Sequence, residues 1–308
     1  MSFTSNVKNE ICLIDGNKNE KIAELSAIVR NNAIYDNNKI EITTENSKVA
    51  KRIYLLFKEL YNVSPIIEDK ENNFNRNRLY VVKIEEKIEI ILNDLSILDN
   101  ELNYLINPKK YLVDSEEEKR SYLKGLFLAV GSINDPKTSR YHLEFFINDY
   151  DESLFVCNLL NEFYLNSKVT KKDKKYMVYV KEAEKNGDFL RIISANNAVM
   201  YYEDIRIYRD HKNMTNRLNN MEQANIEKII ATCNEQIADI NVIIDNNCKD
   251  LLDEKLIEAA EYRLKYPESS LQELSEIISF ETGKTITKSG LNHRFRRIKE
   301  FAKKIKNS

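Results

Sequence analysis

Apolar residues recur along this chain with two alternating periods. A period of three to four, through Ile22, Leu25, Ala27, Ile28 and Val29, predicts a helix over 20–30. Segment 33–46 (AIYDNNKIEITTEN) predicts two strands about a turn at Asp36, Asn37 and Asn38, residue types that accept hairpin backbone angles. A helix follows over 47–61, then strands at Ile66-Ile67 and 79–84, then a helix within 85–106. The same order returns about a hundred residues later. Ser115 and the acids after it cap a helix running to Val130. A hairpin turns at Asp135-Pro136, and a helix covers 151–164. Strands fall at 168–170 and 176–180, and a helix lies near 182–196. Two αββαββα units, about 1–106 and 115–200, predict a pseudo-twofold α+β domain over 1–212.

The C-terminal third changes period and loses its strands. Residues 213–245 carry a long helical pattern read as linker helices packing on one domain, with Asn219-Asn220 as a break point; the linker is taken as 213–247. Its apolar spacing is not a sustained heptad. Then 251–265 predicts a helix stopped by Pro267. Ser270 and Glu273 stand at capping-box spacing before a short helix with Leu271, Leu274, Ile277 and Ile278 on one side. Gly283 ends that helix, and Thr287 or Ser289 caps a third. In the third, Leu291, Phe295, Ile298, Ala302 and Ile305 form one apolar stripe. Three helices with a turn within 248–308 have the layout of a helix-turn-helix unit.

Charge separates this last helix from the rest. Residues 284–308 hold nine Lys and Arg against one acid, a net +8, while the whole chain is −2, which leaves −10 on 1–283. Over 251–283 there are three bases and eight acids. A cationic helix on an acidic chain points to a polyanion, and duplex DNA is the partner expected. The N-terminal half of such a helix enters the groove first, so Lys288, Ser289, Asn292, His293 and Arg296 are the candidates for base edges. Arg294, Arg296, Arg297 and Lys299 are candidates for phosphate contact, which accounts for about half or more of protein–DNA hydrogen bonds. Asn292 suits bidentate pairing with adenine or a phosphate contact; His293 suits phosphate or packing. A second basic cluster, Lys171, Lys172, Lys174 and Lys175, reads either as a solvated turn or as a further duplex contact.

Composition narrows the class. With 308 residues, two domains are expected. Gly 6 and Pro 4 argue against low-complexity stretches. No run of about 18 apolar residues occurs, so no membrane partner is expected. Four scattered cysteines (Cys12, Cys157, Cys233, Cys248) read as reduced cytosolic thiols. With three isolated histidines they make no metal site, and no cofactor is expected.

Residues 122–131 (YLKGLFLAVG) resemble the dodecapeptide helix of LAGLIDADG homing endonucleases, with Gly125 and Ala129 four apart for close helix packing. In that family an acid just before the last glycine binds the metal that activates water. Here that place is Val130, and in the first repeat (ELSAIVRNN) it falls on Asn31. Neither offers the carboxylate oxygens a hard cation needs, so the resemblance implies a non-enzyme. Such a domain followed by a helix-turn-helix is similar to the WhiA regulators of sporulation and cell division. The opening MSFTSNVKNEI, the connector 217–237 and the segment 270–302, above all TKSGLNHRFR, carry that likeness. It implies a cytoplasmic, nucleoid-associated DNA-binding transcriptional regulator with a role in cell division and chromosome segregation. Other transcription or cell-division proteins are potential partners, and the oligomeric state is open. Segment 280–286 (FETGKTI) departs from the family as an insertion between the second and third helices. Two alternatives stand beside this reading: a division scaffold acting through protein partners, and an active homing endonuclease.

Overall fold

A computed structural model of the protein describes residues 2–36, 38–71, 78–138 and 140–306. The chain forms two compact units, residues 1–209 and 210–308. The expected turn residue Asn37 lies outside the described residues.

The first unit is a duplicated α+β fold. Its first repeat runs α2 (Lys18–Asn32), β1 (Ala33–Tyr35), β2 (Ile40–Thr44), α3 (Ser47–Tyr61), β3 (Ile66–Glu71), β4 (Arg78–Ile84) and α4 (Ile88–Asp94). The second runs α5 (Glu116–Val130), β5 (Gly131–Ile133), β6 (Leu143–Ile147), α6 (Tyr150–Glu162), β7 (Lys168–Lys172), β8 (Lys175–Val180) and α7 (Ala183–Ile192). Each repeat builds a four-stranded antiparallel sheet of the same order, β1-β2-β4-β3 and β5-β6-β8-β7. The registers correspond: Ile42 faces Ala33 and Val82, and Phe145 faces Gly131 and Val178. Local chemistry sets the helix starts. Asn17 with Glu20 and Ser115 with Glu118 form capping boxes that satisfy otherwise orphaned amides.

α2 and α5 pack along each other at the centre, and their buried faces (Leu25, Ala27, Ile28; Leu123, Leu126, Phe127) join both sheets in one core. Each such leucine, isoleucine or phenylalanine contributes on the order of 1.5–3 kcal/mol when fully buried. The helices approach closely at Gly125, where an added Cβ would meet the Glu24 carbonyl oxygen at 2.1 Å. Beside this crossing the fully buried Glu24 carboxylate accepts from Arg52 Nη2 at 2.7 Å and pairs with Lys124 Nζ at 2.9 Å. Removing one partner would leave a buried charge uncompensated, which costs several kcal/mol.

Two local expectations are corrected and one further element is found. The helix expected within 85–106 is only α4. Ser96 and Leu102 take positive φ, Asp99 Oδ1 accepts from the amides of Glu101 and Asn103, and the Arg30 guanidinium binds the carbonyls of Ser96, Leu105 and Ile106. Those carbonyls serve the arginine instead of a helix. A further helix, α1 (Phe3–Ile11), precedes the repeats, burying Phe3, Val7 and Ile11 at four-residue spacing. The segment 213–245 is no set of separate linker helices. It belongs to α8 (Asn196–Asp245), 50 residues that run unbroken through Asn219 and Asn220. Asparagine inside a helix costs only a fraction of a kcal/mol, too little to break one without proline or a left-handed residue.

The second unit packs the end of α8 with α9 (Glu254–Lys265), α10 (Leu271–Thr282) and α11 (Lys288–Lys306). Ile240 and Ile243 of α8 meet Leu256, Ala259, Leu274, Ile278, Leu291, Phe295, Ile298 and Ala302 in its core.

Candidate nucleic-acid interface

The apolar stripe of α11 dictates which way its polar residues face. Leu291, Phe295, Ile298 and Ala302 are buried against α9 and α10. Phe295 also lies under the fully buried Arg263 guanidinium, 5.5 Å from its centroid. Arg263 is anchored in turn by Gln236 Oε1 at 2.9 Å and the Ser269 carbonyl at 2.6 Å. With the stripe inward, Lys288, Ser289, Asn292, His293 and Arg296 step i, i+1, i+4, i+5, i+8 along one outer face, and all five are exposed. The start of the helix is set by Thr287, whose Oγ1 accepts from the Gly290 amide at 3.1 Å; Ser289 is already inside the helix.

The formal +8 is not all free. Arg294 is half-buried and donates to Glu258 Oε2 at 2.7 Å and to the Lys255 carbonyl at 3.2 Å, so it bonds to α9. Arg297 pairs with Asp253 at 3.0 Å, the cap of α9. Lys299 pairs with Glu235 at 3.0 Å, and that hydrogen bond holds its ammonium above the usual lysine value. Lys306 pairs with Asp239 at 3.6 Å. Among the described residues, Lys284 in the turn before α11 and Lys288, Arg296 and Lys303 on the helix have no ion-pair partner. The charge available to a polyanion is therefore concentrated on the face that carries Asn292 and His293.

A cleft opens between the start of α11 and the outer side of α10. Gln272, Glu276 and Phe280 of α10 and Thr287, Lys288 and Ser289 line it. The α10 residues were not among the sequence candidates. Their four-residue spacing on the polar side of α10 is the signal that marks them. Gly283 closes α10 at φ +67°, a left-handed conformation that glycine takes without strain. The Ser279 hydroxyl accepts from the Ile286 amide at 2.9 Å and donates to the Ser275 carbonyl at 2.7 Å. The turn into α11 is thereby held from both sides.

The basic cluster of the first unit sits on β7 and β8, where Lys171, Lys172, Lys174 and Lys175 are exposed about a turn whose Asp173 takes φ 54°.

The helix ends of the first unit bear on catalysis. β5 begins directly after Val130, and β1 begins directly after Asn32. Counting back from the strands, Asn32 and not Asn31 matches Val130; the sequence match slipped by one because nothing in ELSAIVRNN marks the helix end. Asn32 Nδ2 donates to the Thr43 carbonyl at 2.7 Å, and Asn31 Nδ2 donates back to the Ala27 carbonyl at 3.1 Å. Val130 packs half-buried against the core. Two positions before it, the Leu128 carbonyl accepts from Lys8 Nζ at 3.1 Å. Burial pushes that ammonium down to about 8. Thr4, on the same helix as Lys8, bonds the backbone of Ile133 in both directions. The base of the central helices thus carries an amide, a valine and an amine in place of paired carboxylates. Among the described residues no cluster of three or more His, Cys, Asp or Glu side chains could hold a metal ion, and no helix is long and apolar enough to cross a membrane.

Comparison with known proteins agrees with this architecture. Residues 18–98 match the WhiA N-terminal LAGLIDADG-like domain, residues 119–212 the WhiA LAGLIDADG-like domain, and residues 215–302 the WhiA C-terminal HTH domain. A protein of Bacillus cytotoxicus named probable cell division protein WhiA is 42% identical over 311 residues, covering 99% of this chain and 98% of its own. One of Lactobacillus johnsonii with the same name is 39% identical over 312 residues, covering 99% of each. The crystal structure of full-length WhiA from Thermatoga maritima superposes with a TM-score of 0.60 at 22% identity, covering 99% of both chains. With full-length relatives near 40% identity, a shared fold and both domain types matched, the chain belongs to the WhiA family.

Proposed function

We propose that this protein is a sequence-specific DNA-binding transcriptional regulator acting in cell division and chromosome segregation. The observation that carries this reading is the outer face of α11. Lys288, Ser289, Asn292, His293 and Arg296 are exposed together at groove-reading spacing on a helix whose other side is locked in a core. In this reading Lys288, Asn292 and Arg296 meet base edges. Arg297 and Lys299 exchange their carboxylates for phosphates on binding. Arg294 stays with Glu258 and sets the pose of the helix. The division of labour is a nuclease-like domain over 1–212, a linker over 213–247 and the reader over 248–308. The partner is duplex DNA, in the cytoplasm on the nucleoid, with further transcription or division proteins as second partners.

The same reading makes the first unit a non-enzyme. Valine and asparagine at the two helix ends supply no carboxylate for a hard cation, and the Lys8 ammonium beside them repels one.

The test is fluorescence anisotropy of the full-length protein on duplexes enriched from a random library. The log of the binding constant should fall linearly with log[salt], at about −0.9 per phosphate neutralised. Asn292→Ala should flatten the preference among sequences, and Arg297→Ala should weaken all sequences alike. Salt-independent binding, or no enrichment at all, would leave the division-scaffold alternative standing.

A further inference from the structure

Phe280 is the most exposed large apolar side chain of the second unit, at 91% of its full surface, on the last turn of α10. It opens segment 280–286 (FETGKTI), which the sequence reading takes as an insertion between the second and third helices. Its neighbour in sequence, Glu281, is held on three sides. It accepts from Lys265 Nζ at 2.9 Å, Tyr266 Oη at 2.9 Å and Tyr262 Oη at 2.9 Å, and those bonds keep its carboxyl below the usual range. The clamp ties the final turn of α10 to α9, so the ring of Phe280 projects from a fixed helix and not from a loose loop. Ser279, one residue earlier, fixes the path into α11. An aromatic ring has few torsions to freeze, and here its backbone is already fixed.

The ring's surroundings select what it touches. It lines the cleft with Lys288 and Ser289, the first residues of the proposed reading face. One turn back on the same wall is Glu276, oriented by Gln272 Nε2 at 2.6 Å. A carboxylate there disfavours a phosphate against that wall. What a major groove offers to an apolar side chain beside its base edges is the 5-methyl group of thymine.

We infer that Phe280 is a specificity-determining residue that packs on a thymine methyl group at the edge of the site read by α11. This rests on the proposed DNA-reading function and adds a base preference carried by α10, outside the reading helix.

The probe is the duplex enriched from a random library by the full-length protein, and a set of copies in which each thymine in turn is replaced by uracil, which removes one methyl group. The wild-type protein should lose roughly tenfold in affinity at one uracil position. Phe280→Ala should bind the parent duplex about tenfold more weakly and show no further loss at that position. Phe280→Leu, which keeps an apolar side chain, should retain most of the uracil effect. Because the ring is exposed, both variants should melt with wild-type transitions. Equal affinity of Phe280→Ala and wild type on the parent duplex overturns the inference. So does a loss that is the same with thymine or uracil at every position. Failure of the wild type to enrich any duplex overturns the DNA-reading function and this inference with it, and is distinguished by that first step.

Discussion

Gly125 of α5 touches the backbone of Glu24 on α2, with so little room that a Cβ would stand 2.1 Å from the Glu24 oxygen. The two central helices can approach only because one of them has no side chain there. The same contact places the Glu24 carboxylate between Arg52 and Lys124, so packing and charge neutralisation depend on one geometry. Gly125→Ala must push the helices apart. It should destabilise the first unit by about 1–3 kcal/mol, the usual cost of overpacking, and leave the melting of the second unit in place. Denaturant unfolding of the full chain, with tyrosine fluorescence and far-UV dichroism followed separately, checks this. An unchanged first transition would refute the close approach.

Arg294 and Arg296 differ in role despite their like chemistry. Arg294 holds Glu258 at 2.7 Å in a half-buried pair, whereas Arg296 is exposed. Arg294→Ala should lower the stability of the second unit by about 1–2 kcal/mol, since it leaves a partly buried carboxylate unpaired. Arg296→Ala should leave stability unchanged and reduce DNA affinity. Thermal melts paired with anisotropy separate the two, and the reverse pattern would redraw the reading face.

Glu152 should make the first unit sensitive to pH. Burial pushes its carboxyl up to about 7, against the opposing pull of Arg30, and its Oε1 has no hydrogen-bond partner among the described residues. Between the ordinary glutamate value of 4.5 and about 7, the folded state keeps a proton that the unfolded chain has released. Stability therefore falls as pH rises through that window, by an amount on the order of 3 kcal/mol. Melts from pH 4.5 to 8 should show the decline. Glu152→Gln, which stays neutral throughout, should remove this part of the slope.

The helix bases should be catalytically silent. Purified protein should not nick plasmid DNA with Mg²⁺ or Mn²⁺, because Val130 and Asn32 supply no carboxylate. Val130→Asp should lower the stability of the first unit by about 1–3 kcal/mol, since a half-buried carboxylate there gains no cation partner. Nicking that a chelator abolishes would overturn the non-enzyme reading. A Val130→Asp protein as stable as wild type would show that the position is solvated.

The periodicity of apolar residues, the caps at Ser115 and Ser270 and the recurring order of elements were enough to read the duplicated α+β fold and the three terminal helices. Those are signals of a few neighbouring residues, and the physics behind them is local. The outward face of α11 was legible for the same reason, because its apolar stripe leaves only one way to bury it. Tertiary structure decided what depends on partners distant in sequence. Arg30 claims the carbonyls of Ser96, Leu105 and Ile106, where a helix was expected. Glu258 turns Arg294 toward α9. Strand pairing makes Ala33 the counterpart of Gly131, so Asn32, one residue beyond the sequence match, corresponds to Val130 in the repeat. The three-point clamp on Glu281 fixes where Phe280 points. None of these has a period or a motif. Each is an ion pair, hydrogen bond or register set by residues that meet only after the chain has folded.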